Sequence, residues 1–255
     1  MARIRHHLID IVKPDVQYNV GEFVKSADKI VMDIWERGKI PLVSGGTAFY
    51  LKNFVLGLPQ TPPGNERVRE KLNLSLKERG VRALYEELKE VDPVAAERIG
   101  VNDRYRIVRA LEVFYTSGKP LSEFLLPGKT REKFKFLLIG LLRDREELYR
   151  RINKRVDMMF EKGLVDEVKR LLAMGYSFED PGFKGIGYRE FRELCKGCLT
   201  LEGVKEVIKR NSRRYAKRQI TFMKKLNGVK WFNPIEEEAI KREIEKFIRE
   251  DELSS

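Results

Sequence analysis

Three short runs in this chain carry the residue types that handle phosphates and bases. In Asn102 to Phe114, Arg106 and Arg109 stand three apart, so on a helix they share a face and point the same way. Asp103 is placed to cap that helix, whose apolar face would carry Ile107, Ala110, Leu111 and Phe114. An amphipathic helix with a solvated side fits the same pattern. In Val43-Ser44-Gly45-Gly46-Thr47, a glycine pair meets a helix start, where backbone and hydroxyl donors can face a phosphate or a base. Simple capping by Thr47 would use the same residues. Lys184-Gly185-Ile186-Gly187-Tyr188-Arg189 offers two glycines for close approach, a tyrosine for stacking and two cations for phosphates; an inter-helix turn would also use such glycines.

Other patterns are weaker. Cys195 and Cys198 form a CxxC, but the only histidines, His6 and His7, are adjacent and far off, and the pair follows a helical pattern; the cysteines are read as structural or incidental. Pro127-Gly128-Lys129-Thr130 looks like the end of a P-loop, yet Glu123 sits where the first glycine is needed. Gly185-Ile186-Gly187 begins a dinucleotide fingerprint, but Glu190 holds the third glycine position. The paired-aspartate DDxxD pattern of many prenyl-chain synthases is lacking.

The elements that would position these runs follow from periodicity. His7 to Val12 reads as a strand, Val20 to Arg37 as a helix closed by Gly38, and Lys39 to Val43 as a second strand, with a helix through Phe54 after Thr47. Strand, helix, strand implies a parallel α/β sheet. Leu58 to Gly64 is a proline-rich boundary, and from Glu66 to about Phe124 only helical patterns occur, one opened by Asp92 and Pro93. Phe134 to Leu142 returns to strand type, Asp144 caps a long helix, and a strand at Val229 to Phe232 precedes a charged helix, Ile235 to Arg249. The fold class is therefore α/β: a core of residues 1–59 and 134–255 interrupted by an all-helical insertion of residues 60–133. No internal repeat stands out.

The 255 residues hold 51 Lys plus Arg against 39 Asp plus Glu, a net charge of +12, which suits a polyanionic partner. Lys209 to Lys225 carries eight basic residues and no acidic one, on a helix expected to turn Ile208, Tyr215, Ile220 and Met223 inward. No apolar run is long enough to span a bilayer, and Met1-Ala2-Arg3-Ile4-Arg5 lacks the apolar core of a signal peptide, so a cytoplasmic protein is expected, without a membrane partner.

Taken in order, Val43–Thr47, Asn102–Phe114, Lys184–Arg189 and Ala216-Lys217-Arg218-Gln219-Ile220-Thr221 resemble the tRNA dimethylallyltransferase (isopentenyltransferase) family, over nearly the whole chain. The resemblance implies a P-loop-kinase-like core and transfer of a dimethylallyl group from dimethylallyl diphosphate to the exocyclic amine of the adenosine 3′ of the anticodon. It implies magnesium as cofactor, and a tRNA anticodon stem-loop as partner of a monomer. By motif, Arg155 in Arg151-Ile152-Asn153-Lys154-Arg155-Val156-Asp157 would hold the diphosphate, since a guanidinium takes two oxygens at once. The alternative places Arg151 and Arg155 on a solvated face paired with nearby acids. The family's tRNA-contacting positions fall on Thr47, Arg69, Tyr105, Arg106, Ile107, Val108 and Arg109, and on Lys184, Gly185, Ile186, Gly187, Tyr188 and Arg189.

His6-His7-Leu8-Ile9-Asp10 matches a family stretch and is read as a strand start. In the family an N-terminal strand, the P-loop and a general-base aspartate come before that stretch. Here it begins at His6, so the chain is expected to be a shortened form with a half-built diphosphate site. Two other functions fit parts of the pattern. A non-catalytic RNA-binding module would use the charge and the helices, and a P-loop-class small-molecule kinase would use the core but leave the basic excess without a purpose.

Overall fold

The computed structural model describes residues 4–124 and 128–252. Met1, Ala2 and Arg3 of the N-terminal run and Pro127 of the P-loop-like run lie outside them. The chain divides into two units, Met1–Val55 with Arg131–Ser255, and Leu56–Thr130. These bounds stand a few residues from the 1–59, 60–133 and 134–255 expected from composition. The chain leaves the first unit and re-enters it at one point, where the Arg131 amide donates to the Val55 carbonyl (2.9 Å). Arg131 also makes a bidentate pair with Asp28 (2.9 Å on both arms) and lies over the rings of Phe54 and Phe134.

In the first unit, α1 (Val20–Glu36) opens on a capping box: Asn19 accepts from the Glu22 amide, and the Glu22 carboxylate accepts from the Asn19 amide. Helix α2 (Ala48–Leu56) packs Phe54 with Val24, Ala27, Val31 and Phe134.

The second unit is helical. Helix α3 (Glu66–Val91) is capped by Asn65 and kinked at Gly80, where φ is +79°. Asp92 then caps α4 (Pro93–Arg98), and Asp103 caps α5 (Arg104–Ser117), which Gly118 closes in the left-handed conformation. Leu72, Leu84, Leu88, Ile99, Ile107 and Leu111 interlock as its core. Glu123, at the missing P-loop glycine, ends a 3₁₀ turn, Leu121–Glu123.

Back in the first unit, β1 (Leu138–Leu141) pairs in parallel with β2 (Val229–Phe232), with Gly140 opposite Trp231. Gly140 is a steric requirement, because a Cβ there would fall 2.6 Å from the indole ring. Between the strands run α6 (Arg145–Glu161, capped by Asp144), α7 (Leu164–Ala173), α8 (Phe191–Cys195) and α9 (Leu201–Met223). Val156, Val168, Phe183, Phe191, Val204 and Ile208 form their shared core. Helix α10 (Glu237–Glu252) follows β2.

Two expected strands do not form. His7–Val12 contains Leu8 and Asp10 at φ +60° and +53°, which breaks an extended run. Lys39–Val43 joins no ladder among the described residues, and Leu42 is 88% exposed. A strand exists only where a neighbour takes up its amides and carbonyls. The expected strand at Phe134–Leu142 shortens to β1 because Phe134 and Phe136 turn into ring contacts with Phe54.

Candidate functional site

Helix α9 gathers the sequence runs of the first unit. Its Asn211 amide donates to the Glu190 carboxylate (2.8 Å), its Arg213 to Asn153 of α6 (2.6 Å), and its Gln219 to the Gly46 carbonyl. Lys52 of α2 also lies over the Phe222 ring. Just over two turns of one helix therefore fix the Gly-Gly-Thr loop, the helix carrying Arg155, and the Lys184–Arg189 loop. A Cβ on Gly46 would fall 2.5 Å from the Gln219 amide nitrogen, so the glycine admits that approach. Thr47 is exposed at the start of α2, and its carbonyl accepts from the amides of Tyr50 (2.9 Å) and Leu51 (3.2 Å).

On α6 the two arginines differ. Arg151 is paired with Glu147 (2.9 Å), as a solvated face would have it. Arg155 is exposed and makes no ion pair among the described residues. One turn on, a Cβ placed on Gly187 would lie 3.5 Å from the Met159 side chain, and the φ of +106° at Gly187 lets the Lys184–Arg189 loop turn against α6. Buried Glu190 holds that turn, accepting from the Gly187 amide (2.9 Å) and from Arg189 (3.0 Å). Lys184 and Gly185 are exposed, whereas Ile186 packs into the core.

Tyr188 departs from the stacking expected of it. Its ring makes an edge contact with Phe183, and its hydroxyl donates to Glu167 (2.7 Å). Burial, followed by that hydrogen bond, pushes the phenol up to about 12. Both ring and hydroxyl are thus engaged within the protein, at the wall of a cavity of about 490 Å³ that Lys13, Glu167 and Phe183 also line. Tyr215, expected inward, stays exposed with the Arg218 guanidinium over its ring.

In the second unit, Ile107 and Val108 are buried in the core, so their side chains have no surface to offer an RNA. Tyr105 is 82% exposed. Arg106 and Arg109 do not point the same way: Arg106 turns back to Asp103 (2.6 Å), and Arg109 turns inward to Glu112 (2.9 Å), Thr61 (3.3 Å) and the Pro62 carbonyl (2.9 Å). The attraction of a buried carboxylate overrides the helical spacing. Arg69, half exposed, binds the same carboxylate.

Sequence reasoning missed Glu112, Glu190, Asn211 and Arg213. A glutamate inside the apolar run Ala110 to Val113 was a signal for the first. Cys195 and Cys198 are free and exposed. Among the described residues no three His, Cys, Asp or Glu side chains are grouped to hold a metal ion.

A parallel strand pair flanked by helices, in a chain interrupted by an all-helical unit, defines an α/β protein with a helical insertion. Residues 1–226 match the model of the family described as IPP transferase. Among curated relatives, tRNA dimethylallyltransferase 2 of Geotalea daltonii is 43% identical over 231 residues, covering 90% of this chain and 71% of that protein. The tRNA dimethylallyltransferase of Clostridioides difficile is 43% identical over 255 residues, covering 98% and 81%. Among solved structures, the full-length tRNA isopentenylpyrophosphate transferase of Bacillus halodurans superposes with a TM-score of 0.65 at 34% identity, covering 98% of this chain and 78% of that one. A eukaryotic dimethylallyltransferase acting on tRNA gives 0.74 at 28% identity, covering 92% and 62%. This chain belongs to the IPP transferase family.

Proposed function

We infer that this protein transfers a dimethylallyl group from dimethylallyl diphosphate to the exocyclic amine of the adenosine 3′ of the anticodon in tRNA. The observation that carries the inference is the gathering of three of the family's motifs on α9, in a chain that matches the family over residues 1–226. In the reaction the allylic C–O bond breaks, the diphosphate keeps the electron pair, a C–N bond forms, and the amine gives up one proton, which passes to solvent water.

Arg155, exposed on α6 and without an ion pair among the described residues, takes the leaving diphosphate, where a planar guanidinium neutralises charge as it develops. Thr47 and the exposed Lys184, Gly185 and Arg189 line the route of the adenosine, which must leave the anticodon-loop stack to react. Arg69, Tyr105 and Arg106 face the anticodon stem-loop, while Arg109 braces from within the Glu112 carboxylate that also holds Arg69. Magnesium belongs to this proposal as a companion of the diphosphate, whose charge it would help to neutralise, and none of these roles depends on it. One chain is the working unit, in the cytoplasm with its tRNA.

Deleting the gene and analysing the cell's tRNA nucleosides by mass spectrometry tests the proposal. Loss of prenylated adenosine, restored by the gene, supports it. Unchanged prenylation in the deletion strain contradicts it and leaves the non-catalytic RNA-binding function in its place.

A further inference from the structure

Glu112 is out of keeping with its helix. Its side chain is 1% exposed, and Ala110, Leu111 and Val113 around it are core. A carboxylate is buried at such a place only when donors compensate the lost water. Here they do. One oxygen accepts from the Asn65 amide (2.8 Å) and from Arg69 (3.0 Å), and the other from Arg109 (2.9 Å) and again from Arg69 (3.1 Å). Burial raises the carboxyl's affinity for a proton, but the hydrogen bonds from Arg109, Arg69 and Asn65 outweigh it and leave the group below its ordinary value.

The same cluster fixes the chain that leads into α3. Arg109 reaches Thr61 and the Pro62 carbonyl, Asn65 caps α3, and a Cβ on Gly64 would fall 2.8 Å from the Arg69 guanidinium. One carboxylate thus holds two arginines and the segment 61–65 against α5. Two cations on one anion leave one positive charge over. Arg109 is turned inward, so the surplus is presented at half-exposed Arg69.

We propose that Glu112 is a positioning residue for tRNA: it holds Arg69 in a fixed orientation on the helical unit, so that the guanidinium meets an RNA phosphate without first having to be ordered. The proposal rests on the transferase function inferred above. A cation already held in place loses less conformational freedom on binding than a free side chain does.

The test places Glu112→Gln and Glu112→Asp at the chromosomal gene and purifies each protein from its own cells. The Michaelis constants for an anticodon stem-loop and for dimethylallyl diphosphate are measured with kcat, well below the unfolding midpoint, and stem-loop affinity is measured over a salt series. Glu112→Gln should raise KM for the stem-loop about tenfold, leave kcat and the diphosphate KM within about twofold, and flatten the salt slope by about one phosphate contact. Glu112→Asp, which keeps the charge, should fall between it and the wild type. A stem-loop KM within about twofold of wild type in folded Glu112→Gln, or equal losses in every constant, would overturn the proposal. If Glu112→Gln does not fold, Arg69→Lys decides: the same selective rise supports the proposal, and unchanged stem-loop affinity overturns it. A wild-type protein that transfers no prenyl group fails the transferase function, whereas the salt series of binding still decides the role of Glu112.

Discussion

Arg213 of α9 donates to the side-chain oxygen of Asn153 on α6 at 2.6 Å, two residues before Arg155. Together with the pairs of Lys205 and Lys209 with Asp157, one turn on, the bond holds α6 in its rotation against α9, and so the direction from which the Arg155 guanidinium is presented. Asn153→Leu removes the acceptor and leaves a partly buried cation unpaired. Stability should fall by about 1.5–3 kcal/mol, the range for hydrogen bonds to charged groups, as read from urea unfolding. An unchanged midpoint would show that the apolar core and the pairs of Lys205 and Lys209 with Asp157 align the helices without it.

Arg155 and Arg151 sit one turn apart and should behave differently. Arg155→Ala should lower kcat by about 10²–10³, as when a donor to developing charge is removed, with stem-loop affinity little changed. Arg155→Lys should recover part of that, since lysine keeps the charge but lacks the fork. Arg151→Ala breaks only a surface pair with Glu147 and should cost about 0–1 kcal/mol of stability, without effect on turnover. Steady-state kinetics of the three variants would decide; equal effects at both positions would remove Arg155 from its role.

Gly187 has a φ of +106°, and a Cβ there would lie 3.5 Å from the Met159 side chain. Gly187→Ala should destabilise the protein by about 1–3 kcal/mol, the usual strain of such backbone, and loosen the Lys184–Arg189 loop. Thermal unfolding and amide exchange at Gly187, whose N–H is bonded to Glu190, give the two readouts.

The pH dependence of stability follows from Glu112. Its folded-state carboxyl lies below its ordinary value, so its contribution is present above the unfolded value, about 4.3, and is lost as pH falls through the folded value. Removing a buried partner of this kind costs about 3–5 kcal/mol, so Glu112→Gln should be much less stable than wild type at pH 7. The gap should narrow below about pH 4. Urea unfolding at neutral and acid pH measures it, and a gap independent of pH would contradict the charge pairing.

Capping residues and apolar periods made most elements legible in the sequence. Asp92, Asp103 and Asp144 each cap the helix they were expected to open, and Val229 to Phe232 is a strand over the expected span. Local signals sufficed there because a cap or an alternating run acts within a few residues. His7–Val12 and Lys39–Val43 have strand-like composition without a ladder, and composition cannot say whether a neighbour is present. The site was legible as a set of motifs but not as a set of orientations. Arg109 and Tyr188 are turned inward by Glu112 and Glu167, partners distant enough in the chain, or obscure enough within an apolar run, that spacing could not reveal them. The gathering of three motifs on α9 depends on long-range hydrogen bonds that no periodicity encodes.

The most direct measurement is transfer itself. Protein purified from its own cells is incubated with dimethylallyl diphosphate and an anticodon stem-loop carrying adenosine 3′ of the anticodon, and the RNA mass is read. The expected result is an RNA heavier by one dimethylallyl group less one hydrogen, located on that adenosine, with one diphosphate released per transfer. Tight, salt-sensitive binding of the stem-loop without any change in its mass would contradict the transferase function.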